Sequence, residues 1–362
     1  MKAVVCHELN KISVEDVSID PPKAGEVGIR MAATGVCHSD LSIINGTIPA
    51  MLPCVLGHEG AGIIETVGDG VTNVAPGDAV IMSFVPNCGE CFHCLRGEAF
   101  LCTALPPTGR QLDGTTRLHL GDQDLGAMTA LGNMAEQVVC PAMNVVKVAP
   151  DVPLKTAALV GCGVTTGVGA VINTAKVEPG SSVAVFGCGG VGLSVIQGAR
   201  IAGADRIIAV DLAANKLEMS TRFGATDTVN AGDGDPVAKI KELTGGIGAD
   251  YAFEAIGVPA VVQQAYLATR RGGSTIVVGV GKVIEQISFN ALMMSLEGKT
   301  VYGCMYGSVN PKVDFPKLLD LSARGKLDLD GMVTNTYTID EAPKAFEDLE
   351  KGINARGVIV FD

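Results

Sequence analysis

Ser182-Val183-Ala184-Val185-Phe186-Gly187-Cys188-Gly189-Gly190-Val191-Gly192 opens with a short β-type apolar run and passes into a glycine-spaced turn. An apolar, helix-like run to Ala202 follows. Strand, G-x-G-x-x-G and helix in that order is the dinucleotide fingerprint in the context that gives it meaning, whereas the glycines alone would be weak evidence in a chain with 46 of them. The turn would let a pyrophosphate approach the backbone at Gly187, Gly189, Gly190 and Gly192 and lie on the helix N-terminus, against unpaired N–H groups. A second strand, Arg206–Val210, ends at Asp211, where a carboxylate accepts hydrogen bonds from ribose hydroxyls. A 2′-phosphate would meet that charge with repulsion, so NAD is expected rather than NADP. Strand-like runs at Ala249–Ala255 and Ser274–Val278, with helical stretches between, predict a doubly wound parallel sheet.

Outside this region, residues 1 to about 160 read as short apolar runs (Val27–Ala33, Ala61–Val67, Ala79–Phe84) broken by turns such as Ala75-Pro76-Gly77-Asp78. That pattern predicts a β-rich unit. With 362 residues the chain exceeds what one core holds, so two domains are expected. A formal charge of −12 argues against nucleic acid and anionic membrane surfaces as partners. The charge-free span Pro179–Ala199 contains six glycines and the turn signature, which excludes a membrane helix there. The start of the sequence is soon polar, without an apolar signal segment, and a soluble, cytoplasmic protein is expected.

Two cysteine patterns carry chemistry. Cys88, Cys91 and Cys94 recur at two-residue intervals and Cys102 follows, a set that can close a tetrahedron around a structural zinc; an iron–sulfur cluster is the alternative reading. In Gly57-His58-Glu59-Gly60 a histidine adjoins a carboxylate, with Cys37 upstream and Cys162 downstream. Two thiolates and one imidazole would leave a zinc ion one open position, as a catalytic site requires. Eleven cysteines, an odd number without a secretory context, favour ligands and free thiols over disulfides. Cys6, Cys54, Cys140, Cys188 and Cys304 are read as small buried apolar residues.

Together, Gly35-Val36-Cys37-His38-Ser39-Asp40, Gly57-His58-Glu59, the four-cysteine lobe and Gly161-Cys162-Gly163 resemble the zinc-containing medium-chain alcohol dehydrogenases along essentially the whole chain, near the class III-like and aryl-alcohol branch. Two cysteines and a histidine are the catalytic ligand set already described for alcohol dehydrogenase. The resemblance implies a GroES-like catalytic domain with a zinc lobe (1–163 and 305–362) and a Rossmann NAD domain (164–304). It implies two zinc ions per chain. Cys37, His58 and Cys162 would hold the catalytic one, with Glu59 able to approach it and Asp40 orienting the histidine; Cys88, Cys91, Cys94 and Cys102 would hold the other. Ser39 would relay the alcohol proton, Thr166 and Val191 would lie at the nicotinamide, Val280 would help bind the cofactor, Lys216 would lie at the ribose and Arg356 at a cofactor phosphate. Ile48, Phe84 and Val280 would wall the substrate pocket, with ordinary core as the equal alternative for each. A homodimer is implied, through Thr300–Cys304 or its neighbour, with a homotetramer as the alternative.

The implied activity is reversible hydride transfer between NAD and a primary, medium-sized or aromatic alcohol or its aldehyde. Three features depart from the family. Ser42 replaces a histidine that ends the proton relay in several members, and His38 replaces an arginine that many use on the pyrophosphate. Asp113-Gly114-Thr115-Thr116-Arg117 looks like the glutathione-dependent formaldehyde dehydrogenase branch, yet Ile48 and Pro106 stand where that branch carries charges that grip glutathione. A thiol-dependent formaldehyde dehydrogenase is therefore the alternative within enzymes. A catalytically silent NAD- or zinc-binding relative is the alternative outside them, against which the intact Cys37, His58, Cys162 and Ser39 count.

Overall fold

The computed structural model describes residues 1–105 and 108–361. The chain folds into two compact units, one of Met1–Gly163, Asn310–Ala323 and Leu329–Asp362, the other of Val164–Val309 and Arg324–Asp328. The return crossing lies after Val309 and not after Cys304. Residues 306–309 are tied to the second unit: Asn173 Nδ2 donates to Gly307 O (3.4 Å), and the hydroxyls of Thr174 and Ser308 pair at 2.8 Å. The short excursion Arg324–Asp328 was not expected; Gln197 holds it, exchanging hydrogen bonds with the Asp328 backbone.

The first unit is β-rich. In its larger sheet the long strand Glu26–Val36 is central, pairing antiparallel with Gly60–Val67, Gln137–Pro141 and Arg356–Val360. The strand's buried-residue run, interrupted by Arg30 and Ala32, reflects packing on both faces. Ile29, Met31, Ile64, Val80 and Leu131 form one core, and Val4, Ile43, Leu56, Met134 and Phe346 another. Inside this frame, Gly60–Val67 follows directly on the His58-Glu59 turn, and the helix His38–Ile44 begins as Glu26–Val36 ends.

The second unit carries a six-stranded sheet in the order Asp227–Asn230, Arg206–Asp211, Ser182–Phe186, Ala249–Glu254, Thr269–Val277, Thr300–Gly303, every pair parallel. Strand order reverses on either side of Ser182–Phe186, which makes its C-terminal end the switch point where such sheets bind ligands. Phe186, Ile208, Val210 and Ile240 fill the core on one side. The helix Gly190–Ala202 starts at the fingerprint and ends at Gly203, whose φ of +83° suits a glycine cap. The charge-free span is thus strand, turn and helix. Among the described residues no single helix is long and apolar enough to cross a membrane.

Candidate metal centre and cofactor site

Cys37 lies where the long strand turns into the helix His38–Ile44, and Asp40 in that helix's first turn reaches back to it: Asp40 Oδ2 accepts the Cys37 N–H at 3.2 Å. Its other oxygen accepts Gly57 N–H (2.9 Å) and lies 3.4 Å from His58 Nδ1. With Nδ1 taken by a fully buried carboxylate, His58 presents Nε2, which has no partner although it is buried. The ligand atoms of Cys37, His58, Glu59 and Cys162 all lie within 4.8 Å of one another. Cys162 enters from the end of the short helical turn Ala158–Gly161.

Behind the cluster sits a buried ion pair. Arg356 Nη2 donates to Glu59 Oε2 at 2.5 Å, while Glu59 Oε1 is left without a partner. The guanidinium occupies space kept open by glycines: a Cβ on Gly163 would lie 2.5 Å from its Nη1, and one on Gly35 3.0 Å from its Nη2. Burial pushes the Glu59 carboxyl up to about 7, against the pull of Arg356. The Cys162 thiol beside it, helped by His58, draws the Cys37 pKa well below the ordinary thiol value, and Cys162, sharing that proton, is pushed up.

This donor set fits a zinc ion. Two thiolates, one imidazole with a free Nε2 and a nearby carboxylate are its preferred chemistry. Counting charges, two thiolates and Glu59 against Arg356 leave two negative charges, which a divalent cation neutralises; buried without one, they would be costly. Asp40 supplies the outer hydrogen bond that fixes a ligand histidine's tautomer.

The cysteine lobe fits a second ion with no open position. Sγ–Sγ separations are 3.8 Å for Cys88–Cys94 and Cys91–Cys102 and 3.5 Å for Cys88–Cys102. A zinc–sulfur bond of about 2.3 Å puts tetrahedron edges at about 3.8 Å. A multi-iron cluster would spread its thiolates farther, with several metals lying between them. The backbone N–H groups of Cys91 and Cys94 point to Cys88 Sγ (3.4 Å) and Cys91 Sγ (3.5 Å). The N–H of Cys94, followed by that of Thr103, lowers the Cys91 thiol to about 6. His93, between the ligands, is half-buried and bonded through Nδ1 to Glu98 (3.0 Å).

Around the metal cluster, Ser39 Oγ lies 3.9 Å from Cys37 Sγ, and the Phe84 ring stands edge-on to His58 at 5.6 Å. Ile48 and Phe84 both lie partly buried against a core, Ile48 against that around Ile43, Ile44 and Met134 and Phe84 against that around Val27, Met31 and Met82. Pro106 lies outside the described residues. His38 is exposed at the start of its helix. Arg117 and Asp113 are engaged with each other and with Glu26: Arg117 Nε and Nη2 reach the Glu26 carboxylate at 2.9 and 2.6 Å, and Nη2 reaches Asp113 at 3.0 Å.

In the second unit, Gly187 has φ +93°, and a Cβ on Gly192 would lie 1.8 Å from Gly187 O, so the turn admits only glycine there. Gly189 caps the helix and Gly190 and Val191 begin it. Asp211, at its strand end, accepts Cys188 N–H (2.8 Å) and Ala213 N–H (3.0 Å), which holds the carboxylate in place. Lys216 and Thr166 are half-buried, and Val280 is exposed. Four of the five cysteines outside the proposed sites are buried as expected; Cys304 is only half-buried, its Sγ 3.4 Å from Thr174 Oγ1. The Arg356–Glu59 pair and the Arg117 clamp have no counterpart in local spacing and were not anticipated.

Two family models match the chain: the alcohol dehydrogenase GroES-like domain over residues 23–151 and the zinc-binding dehydrogenase over residues 190–324. The chain is 41% identical to an NDMA-dependent alcohol dehydrogenase of Amycolatopsis methanolica, covering 99% of this chain and 98% of that protein. It is 40% identical to an S-(hydroxymethyl)glutathione dehydrogenase of Escherichia coli, covering 96% of each. The crystal structure of benzyl alcohol dehydrogenase from Acinetobacter calcoaceticus superposes with a TM-score of 0.94 at 36% identity, over 100% of this chain and 99% of that one. Sequence and fold agree along the full length, and the chain belongs to the zinc-containing, NAD-dependent alcohol dehydrogenases of the medium-chain dehydrogenase/reductase superfamily.

Proposed function

We propose that this enzyme interconverts primary, medium-sized or aromatic alcohols and their aldehydes. The observation that carries the substrate class is the edge of Phe84 against the ligand-histidine candidate His58, which puts an aromatic wall beside the metal centre. When bound, the zinc ion held by Cys37, His58 and Cys162 supplies Lewis acidity, and NAD supplies the hydride acceptor. Ser39, beside Cys37, takes the substrate hydroxyl proton and passes it outward. Ser42 cannot titrate near neutrality, so the proton leaves through solvent. Asp40 keeps Nε2 of His58 turned to the cluster, and Asp211 receives the ribose hydroxyls.

Against a glutathione adduct stand the uncharged Ile48, partly buried against the core, and the internal pairing of Arg117 and Asp113, which leaves neither of these two charges unengaged. The test is NAD reduction with benzylic and aliphatic alcohols alongside formaldehyde with and without glutathione. Benzylic turnover independent of glutathione is expected; activity confined to formaldehyde plus thiol would replace this reading with the thiol-dependent one.

A soluble homodimer in the cytoplasm completes the reading. The strand Thr300–Gly303 is the last of its sheet, and Val283, Ile284, Leu292 and Leu296 nearby in the sequence are largely exposed. Edge strands with apolar neighbours are ready to pair with a second copy. Sedimentation should give a dimer that Ile284→Glu with Leu292→Glu dissociates; a monomer refutes the pairing, and a tetramer extends it.

A further inference from the structure

The turn carrying His58 and Glu59 is bracketed by Gly57 and Gly60. Gly57 has φ +99°, and a Cβ on it would lie 2.3 Å from Met134 N and 2.5 Å from Asn133 Oδ1. A Cβ on Gly60 would lie 2.6 Å from Asn133 Nδ2. One side-chain amide therefore fills the space denied to both glycines. Asn133 is wholly buried, and it grips the same turn by its backbone: its N–H donates to Gly57 O at 3.1 Å, and Met134 N–H to Leu56 O at 2.9 Å. Thr34 adds a third hold, its hydroxyl lying 2.8 Å from Asn133 Oδ1 and 3.1 Å from Glu59 O.

The segment that delivers Asn133 is strained. Thr129 and Ala130 have φ of +54° and +58°, and Gly132 follows at +57°. Left-handed backbone disfavours non-glycine residues, a β-branched one most of all, and persists only where the surroundings enforce it. Here buried Gln111 does so, donating through Nε2 to Ala130 O (3.2 Å) and Val139 O (3.1 Å). A strained coil, a buried amide and two obligatory glycines converge on the two residues between those glycines.

We propose that Asn133, held by Thr34, is a positioning residue for the catalytic metal: it sets the backbone of the His58-Glu59 turn so that His58 Nε2 faces Cys37 and Cys162. It acts through the ligand turn and touches neither metal nor substrate. This rests on reading Cys37, His58 and Cys162 as the zinc ligands.

The test uses the zinc-loaded full chain and a chromophoric chelator. Asn133→Ala should release the catalytic ion about 10-fold faster, the scale on which outer contacts tune metal affinity, while release from the four-cysteine lobe stays unchanged. The cobalt-substituted catalytic site should show shifted visible bands. The loss should fall on kcat, with NADH affinity by fluorescence titration unmoved. Thr34→Val should follow Asn133→Ala more mildly, and Thr34→Ser, which keeps the hydroxyl, should retain the wild-type release rate. A folded Asn133→Ala with wild-type release and cobalt spectrum overturns the proposal. If Asn133→Ala fails to fold, equal release from Thr34→Val and Thr34→Ser overturns it. A wild-type chain that binds only one zinc ion overturns the ligand assignment itself, a separately readable outcome.

Discussion

Arg356 and Glu59, far apart in the chain, form a buried ion pair at the metal cluster. Neither group is exposed by more than a few per cent, and each gives the other a direct opposite charge in place of lost water, with Cys37 and Cys162 adding to the hold on Arg356. Arg356→Met should therefore destabilise the protein by about 3–5 kcal/mol, because it strands a buried carboxylate. Urea unfolding of the variant and of Arg356→Met/Glu59→Gln measures this, and the double variant should recover part of the loss. A change below about 1 kcal/mol, the value of a surface pair, would show that the pair is not energetically buried.

The two metal sites should separate under chelation. One ion, held by three protein ligands with an open position, should leave first and take activity with it while far-UV circular dichroism persists. The lobe ion should leave more slowly, and Cys91→Ser should remove it alone. A single kinetic class of two ions would refute the division into open and closed sites.

Asp113 gives a pH dependence of known sign. Lys23 first, then Thr115 and Arg117, hold its carboxyl well below the usual carboxylate range. A depressed folded pKa stabilises above the unfolded value near 3.8 and is lost as pH falls. Asp113→Asn should thus lower the melting temperature near neutrality by about 2 °C, a small effect for a partly exposed, screened group. The gap to wild type should close as pH drops below 4; a gap that widens in acid would contradict the assignment.

Asp211 should set coenzyme choice. Its carboxylate is already oriented by two backbone N–H groups. Asp211→Ser removes both the acceptor for the ribose and the repulsion toward a 2′-phosphate. NAD kcat/KM should fall roughly 10- to 100-fold, the worth of a hydrogen bond to a charged group, while NADP use rises. Unchanged NAD/NADP preference would place the ribose elsewhere.

How much of this was readable beforehand follows from the range of the interactions. The fingerprint glycines, the cysteine lobe and the His58-Glu59 turn are local patterns, and each appears in the structure as its spacing suggested. Asp40 was legible only through the family resemblance. Side-chain pairs between distant strands leave no periodic trace: Arg356 with Glu59, Arg117 with Glu26, and Thr34 with Asn133 all bridge segments far apart in the chain. Ile48 and Phe84 show the same limit for apolar residues. Both are simply hydrophobic in sequence and lie partly buried against a core, and nothing in their spacing marks Phe84 as the one that also meets the histidine edge-on. Cys304, expected to be buried, is only half-buried.

The strand Arg356–Val360 is inserted between Glu26–Val36 and Val333–Tyr337, so a central seam of the catalytic sheet joins segments made far apart in time. At about 5–20 residues per second, the ribosome delivers Arg356 roughly 15–60 s after the strand it must join. Through that interval the nascent catalytic sheet carries an open edge and Glu59 has no counter-charge, while all the strands of the coenzyme sheet emerge in between and have what they need to pair. Birth order therefore runs opposite to reading order: the coenzyme half can mature first, and the metal centre is completed only once Arg356 has been made.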